Sequence, residues 1–261
     1  MSTRTGTRPI RRHGISPWIP NQHGAWYMLL TPVLLGALST DLGLWTTVSV
    51  FVAWFSGYFA FFAFGLAARA RAGVRRRRYL EPVFVYGGLS TLGAVVALYR
   101  EPGLIAWALA FVPLVGLALV ETWRGRPRSL LSGVATAVAS TLMLPVLSGS
   151  PMQWWCAAFT GLYFAGTIAF VKTMIRERGN RGYLLGSICY HAVALLATVG
   201  IALQVGWVPG AAMILTMAAA LFRSWAIPRS SASGRTWTPK MVGQAEIPLL
   251  LLLILSVCLA L

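Results

Sequence analysis

Residues 44–68 read LWTTVSVFVAWFSGYFAFFAFGLAA, and residues 69–78, directly after them, read RARAGVRRRR. The first block carries no charge and is long enough, at the rise of an α-helix, to cross a hydrocarbon core about 30 Å thick. The second puts Arg69, Arg71, Arg75, Arg76, Arg77 and Arg78 at one end of it. An apolar helix with cations gathered at one mouth reads as a membrane span whose arginine-bearing end stays in the cytoplasm.

The alternation extends in both directions. Apolar runs bounded by Arg or turn residues predict nine transmembrane helices, at 24–38, 44–68, 79–99, 104–120, 129–148, 154–171, 183–203, 208–222 and 245–261. Residues 1–23 are a basic N-terminal segment, and 24–261 a single all-α transmembrane domain. The first span is short for a bilayer, and Trp18 and Trp26 flank its start at interfacial depth. Composition agrees: the chain is 57% hydrophobic and 11% charged, against about 25% charged in a soluble globular protein. Mean hydropathy is +0.70. Met1–Pro20 has no apolar h-region of its own, so no removable signal peptide is expected.

A net charge of +16 raises the question of nucleic acid. The cations sort by topology instead. All 22 Lys and Arg are read as lying between spans or before the first, and all but Arg100 fall on one side. That asymmetry predicts a cytoplasmic N-terminus and an external C-terminus, with membrane lipids and not nucleic acid as partners. Cys156, Cys189 and Cys258 lie in apolar segments without paired spacing, which excludes a disulfide framework or zinc site as the reading.

The chain also repeats itself. Pro32-Val33-Leu34-Leu35-Gly36 in the first span matches Pro145-Val146-Leu147-Ser148-Gly149 in the fifth. Phe55-Ser56-Gly57 matches Phe159-Thr160-Gly161, Tyr79-Leu80 with Tyr86 matches Tyr183-Leu184 with Tyr190, and Pro102-Gly103 matches Pro209-Gly210. Residues 24–123 and 129–226 are thus expected to be two four-helix repeats, with the final helix at 245–261 appended. An even number of spans per repeat inserts both the same way up.

Equivalent loops of such repeats lie at one depth. The loop after span 2 holds Arg69 and Arg71; the loop after span 6 holds Lys172, Arg176, Glu177, Arg178, Asn180 and Arg181. Guanidinium forks suit phosphate and carboxylate oxygens, so these residues are candidate ligands for an anionic head. The bland alternative is that they fix topology and touch anionic lipid. The acids are Asp41, Glu81, Glu101, Glu121, Glu177 and Glu246, no two within four residues, so no segment supplies a local carboxylate pair for Mg²⁺. No cofactor and no metal ligand is predicted. Glu81 and Glu246 are read as acids near the inner interface that pair with a neighbouring Arg. Asn21 is a candidate helix cap or ligand, His23 follows it, and His191 lies about 12 Å into span 7. A polar side chain at that depth marks either a satisfied bundle histidine or a site. Tyr86 and Tyr190 occupy matching positions facing a shared space.

Pro20-Asn21-Gln22-His23-Gly24-Ala25-Trp26, with Val171-Lys172-Thr173-Met174-Ile175-Arg176-Glu177-Arg178-Gly179-Asn180 downstream, resembles the YwiC-like family of bacterial membrane proteins. That resemblance implies the bacterial cytoplasmic membrane and little about activity. More distantly the chain is similar to the UbiA superfamily of intramembrane prenyltransferases, which implies nine helices, a four-plus-four duplication and chemistry at loops 2–3 and 6–7. That superfamily carries Asp-rich, Mg²⁺-holding motifs where this chain has Arg69 and Arg71, and Arg176, Glu177 and Arg178. The expectation is a UbiA-like cavity that binds an isoprenoid or lipid phosphate. Lys172, Arg176, Arg178 and Arg181 would hold the head, and His23, His191 and Glu177 are the candidates for proton transfer if a reaction occurs. A small-solute transporter, with Glu246, Tyr86 and His191 along its path, and an accessory membrane subunit stay open.

Overall fold

The computed structural model describes residues 16–20 and 23–261. Among them are nine helices and no strand: α1 (His23–Leu38), α2 (Leu44–Arg69), α3 (Val74–Arg100), α4 (Pro102–Trp123, its first turns 3₁₀), α5 (Leu130–Leu147, interrupted at Leu142), α6 (Pro151–Ile175), α7 (Arg181–Val205), α8 (Trp207–Ala232) and α9 (Pro239–Cys258). Eight are long and apolar enough to cross a membrane; α1, with 16 residues, is the short one. Backbone polar groups surrounded by lipid must be satisfied within the segment, and helices do that. Leu109, Leu203, Phe84 and Trp207 stand exposed on the outer surface, as lipid-facing side chains do. The chain is an integral membrane protein.

The helix starts are chemically marked. Ser129, Ser150, Asn180 and Thr238 each accept a hydrogen bond from a backbone N–H in the first turn of the helix that follows. Pro151 and Pro239 stand one residue after their caps, where a missing N–H costs nothing. α5 and α6 are the inner helices and α4 the most lipid-facing. α1 packs on α2, α5, α6 and α9, tying the two ends of the chain together.

Close approach depends on absent side chains. A Cβ on Gly93 would lie 2.8 Å from both the Ala53 nitrogen and the Ser49 oxygen, so glycine lets α3 cross directly against the α2 backbone. A Cβ on Gly36 would lie 3.0 Å from the Met143 oxygen and 3.2 Å from the Leu144 Cα. The two Pro-Val-Leu segments seen in the sequence therefore lie against each other, where α5 is interrupted. Beyond them Thr40 donates to the Leu147 carbonyl at 2.6 Å, Ser148 and the Gly149 N–H donate to Asp41, and Gln153 donates to Ser39.

Three boundaries differ from the sequence reading by five residues or more. The third span was expected to open at 79, but α3 opens at Val74 and takes in Arg75, Arg76, Arg77 and Arg78. The eighth span was expected to end at Phe222, before Arg223, but α8 continues through Arg223 and Arg229 to Ala232. The ninth was expected to open at 245, but α9 opens at Pro239. Not every cation is therefore in a loop: Arg223 is a buried helix residue, and Glu246 lies two turns inside α9. The physical reason is mutual. A charge is tolerated at membrane depth when its counter-charge faces it, and these two face each other.

Candidate functional site

α5, α6 and α7 enclose an apolar groove of ≈ 960 Å³. Ala157, Gly161, Ala165 and Ala169 on α6, with Gly182 and Gly186 on α7, form its walls, and their lack of bulk makes the space. Lining residues run from Tyr183 to Ile201 along α7, about 27 Å at the helical rise and so close to the full hydrocarbon thickness. One mouth opens at Leu130, Gly182 and Tyr183.

Cations lie near that end, although none of them lines the groove itself. Lys172 Nζ lies 5.5 Å from the centre of the Tyr183 ring. Arg176 Nη1 donates to the Arg128 carbonyl at 3.2 Å. Partial desolvation and then the Arg128 guanidinium lower the Arg176 pKa from its ordinary value. Arg181 stands exposed beside Gly182, and the buried Tyr183 hydroxyl has no protein partner. Arg178 leans the other way, donating to the carbonyls of Met174 at 3.1 Å and Trp237 at 2.7 Å. Loop 6–7 thus touches loops 4–5 and 8–9. Glu177 and Asn180 have local duties: Glu177 accepts from Asn180 Nδ2 at 3.1 Å, and Asn180 Oδ1 accepts from the Tyr183 N–H at 3.1 Å, capping α7.

In the first half, Arg69 turns back to donate to the Gly65 carbonyl at 2.7 Å, and Arg71 is exposed in the turn before α3. Tyr86 donates to the Trp18 carbonyl at 2.9 Å and meets Phe59 edge-on. Tyr190 donates to the Leu162 carbonyl at 3.0 Å and lines the groove of the second half. A second cavity of ≈ 500 Å³ among α1 to α5 has no charged lining residue. Asn21 lies outside the described residues, and His23 enters only as the first backbone position of α1.

Behind the groove is a polar cluster in which His191 and Glu246 were candidates from the sequence, while Arg223 and Thr167 were not singled out. Arg223 of α8 and Glu246 of α9 form an ion pair through Nη1 and Oε2, with 4% and 3% of their surfaces exposed. Thr167 donates to the same Oε2 at 3.2 Å. Arg223 Nη2 lies 3.3 Å from His191 Nε2, and its guanidinium carbon 4.3 Å from the centre of the Phe170 ring. His191 Nδ1 lies 2.7 Å from the Ser187 carbonyl. Both partners of the imidazole fix its tautomer: arginine only donates, so Nε2 offers a lone pair and Nδ1 carries the proton. Thr167, His191, Arg223 and Glu246 all lie about 10–15 Å from the same, arginine-rich ends of their helices. The sequence signals were Thr238-Pro239, a cap followed by proline at the first helical position, and one unmatched charge of each sign in successive spans.

Comparison with known proteins bears on the family. The YwiC-like protein family model matches residues 19–148. The chain is similar to an uncharacterized protein, YwiC, of Bacillus subtilis, at 28% identity over 237 residues, covering 88% of this chain and 92% of that one. It is also similar to an uncharacterized protein of Haemophilus influenzae, at 26% identity over 206 residues, covering 74% and 83% respectively. No solved structure matches.

Proposed function

We propose that the chain, a YwiC-like membrane protein, holds an anionic amphiphile such as an isoprenoid or lipid phosphate, with its chain in the α5–α6–α7 groove. Its head would sit among Arg128, Lys172, Arg176, Arg181 and the Tyr183 hydroxyl. The observation that carries the reading is the coincidence of an apolar trench of near-bilayer length with cations gathered near one end of it. Apolar surface favours the chain, and charge-assisted hydrogen bonds favour the head. On the positive-inside rule that end of the trench would face the cytoplasm, with the N-terminus inside and the C-terminus outside, and the likeness to bacterial YwiC-like proteins supports a bacterial inner membrane. This reading uses the second-half rim together with loop 4–5. Transfer chemistry in the UbiA manner would be a further step on the same scaffold, without the Asp-rich positions.

The test is mass spectrometry of lipids that remain with the purified protein in nanodiscs, followed by the same measurement on Lys172→Ala/Arg176→Ala. Enrichment of a phosphorylated isoprenoid or anionic lipid over bulk phospholipid, reduced at least tenfold in the variant, supports the reading. Lipid in bulk proportion in both proteins overturns it. The buried Arg223–Glu246 pair favours a second reading, a small-solute transporter. Uptake into vesicles that collapses in His191→Ala would decide for transport.

A further inference from the structure

The Arg223–Glu246 pair is held by several neighbours, yet not every polar atom of it is satisfied. One carboxylate oxygen, Oε2, takes Arg223 and Thr167; the other, Oε1, is buried without a protein partner. Tyr163 on α6 brings its buried hydroxyl close to the same carboxylate without completing a hydrogen bond of full geometry. On the far side of the guanidinium, the His191 lone pair and the Phe170 ring offer Arg223 two acceptors besides Glu246. A buried guanidinium needs acceptors for all five of its N–H donors; Glu246 takes one through Nη1, and Nε is buried without a partner among the described residues.

We propose that Glu246 is a membrane-embedded proton site, taking its proton on Oε1 while Arg223 gives up its bond to the carboxylate and keeps those it already makes to His191 and Phe170. In the charged state Arg223 and Glu246 cancel and His191 is neutral. When the proton arrives, an O–H bond forms on Oε1, the carboxylate becomes a carboxylic acid, and the cluster gains one positive charge. The Tyr163 hydroxyl serves both states, since one hydroxyl can donate to a carboxylate oxygen and accept from an acid O–H. The guanidinium, with its counter-charge gone, is held by the Nε2 lone pair and the face of Phe170 that it already contacts. The titratable or charged groups facing Glu246 from the helices packed on α9 are Tyr27 on α1, Tyr163 on α6 and Arg223 on α8; His191 on α7 acts through Arg223. The site is independent of whatever occupies the groove.

The test is an infrared pH titration of the full chain in lipid nanodiscs, reading the carbonyl stretch of a protonated carboxyl group. A reversible band is expected between about pH 4 and pH 9, lost in Glu246→Gln and kept in Glu121→Gln, the variant of the other buried carboxylate. His191→Phe removes the acceptor that stays with Arg223 when the carboxylate is neutralised but keeps the ion pair, and is expected to lower proton affinity about tenfold, moving the midpoint down by about one pH unit. Tyr163→Phe shifts the band's frequency by removing its hydrogen-bond partner. Should Glu246→Gln fail to fold, the His191 and Tyr163 variants carry the test. A band that persists in Glu246→Gln, or that neither variant moves, overturns the proposal, as does the absence of any such band while helix content is intact.

Discussion

Replacing Glu246 by Leu removes the carboxylate that faces Arg223 and leaves a guanidinium buried at membrane depth. Deleting one member of a buried pair costs about 3–5 kcal/mol, most of it the charge left without compensation. Here the lower part of that range is expected, because His191 Nε2 at 3.3 Å and the Phe170 ring at 4.3 Å stay in place. A desolvated cation–π contact can be worth about 2 kcal/mol, so the net loss is about 3 kcal/mol. Glu246→Gln keeps the volume and a neutral acceptor, and should cost about 1–2 kcal/mol. Removing both charges, as Arg223→Met/Glu246→Leu, should return stability to within about 1 kcal/mol of the parent. The assay is reversible unfolding in a fixed detergent, followed by circular dichroism. If Glu246→Leu matches the parent, or the double variant is no better than the single one, the pair is not the buried charge compensation described.

Three further outcomes follow from packing and capping. Gly166→Ala places a Cβ 2.8 Å from His191 Nε2 and 3.2 Å from Tyr190 Cε1, and should destabilise by about 1–3 kcal/mol through overpacking; His191→Ala in the same chain should relieve most of that. Gly93→Ala meets backbone and not a movable side chain, so α2 and α3 must separate, with a loss of similar size, about 1–3 kcal/mol, readable as faster hydrogen exchange in both helices. Asn180→Ala removes the α7 cap for about 1 kcal/mol, and should speed exchange at the Tyr183 amide while leaving the amide of Tyr79 unchanged.

How much of this was legible depends on which physical signal each residue leaves. Apolar length and the side to which arginines gather are strong signals, and they located α1 to α7 within a few residues of the observed helices. Arg223 defeated the same logic. A charge was taken to end a span, yet Trp225, Ala226 and Ile227 continue the helix beyond it, and its partner lies 23 residues along in another helix. No local pattern announces such a pairing. Glu246 was expected to pair with an arginine, and it does; its depth was misjudged because Thr238-Pro239 was not read as a helix start. The cationic residues of loop 6–7 were legible as a basic group, but their contacts with loops 4–5 and 8–9 belong to tertiary structure, as does the trench that small residues on α6 and α7 leave open.

The junction of Gly36 with the break in α5, reinforced by Asp41 and Thr40 beyond it, has a mechanical consequence. Backbone held against backbone at one end of a bundle behaves as a pivot, so rocking of its two sides produces little displacement there and most at the opposite, arginine-rich end. On that geometry, widening of the proposed groove is expected to be wedge-shaped and greatest at the arginine-rich end.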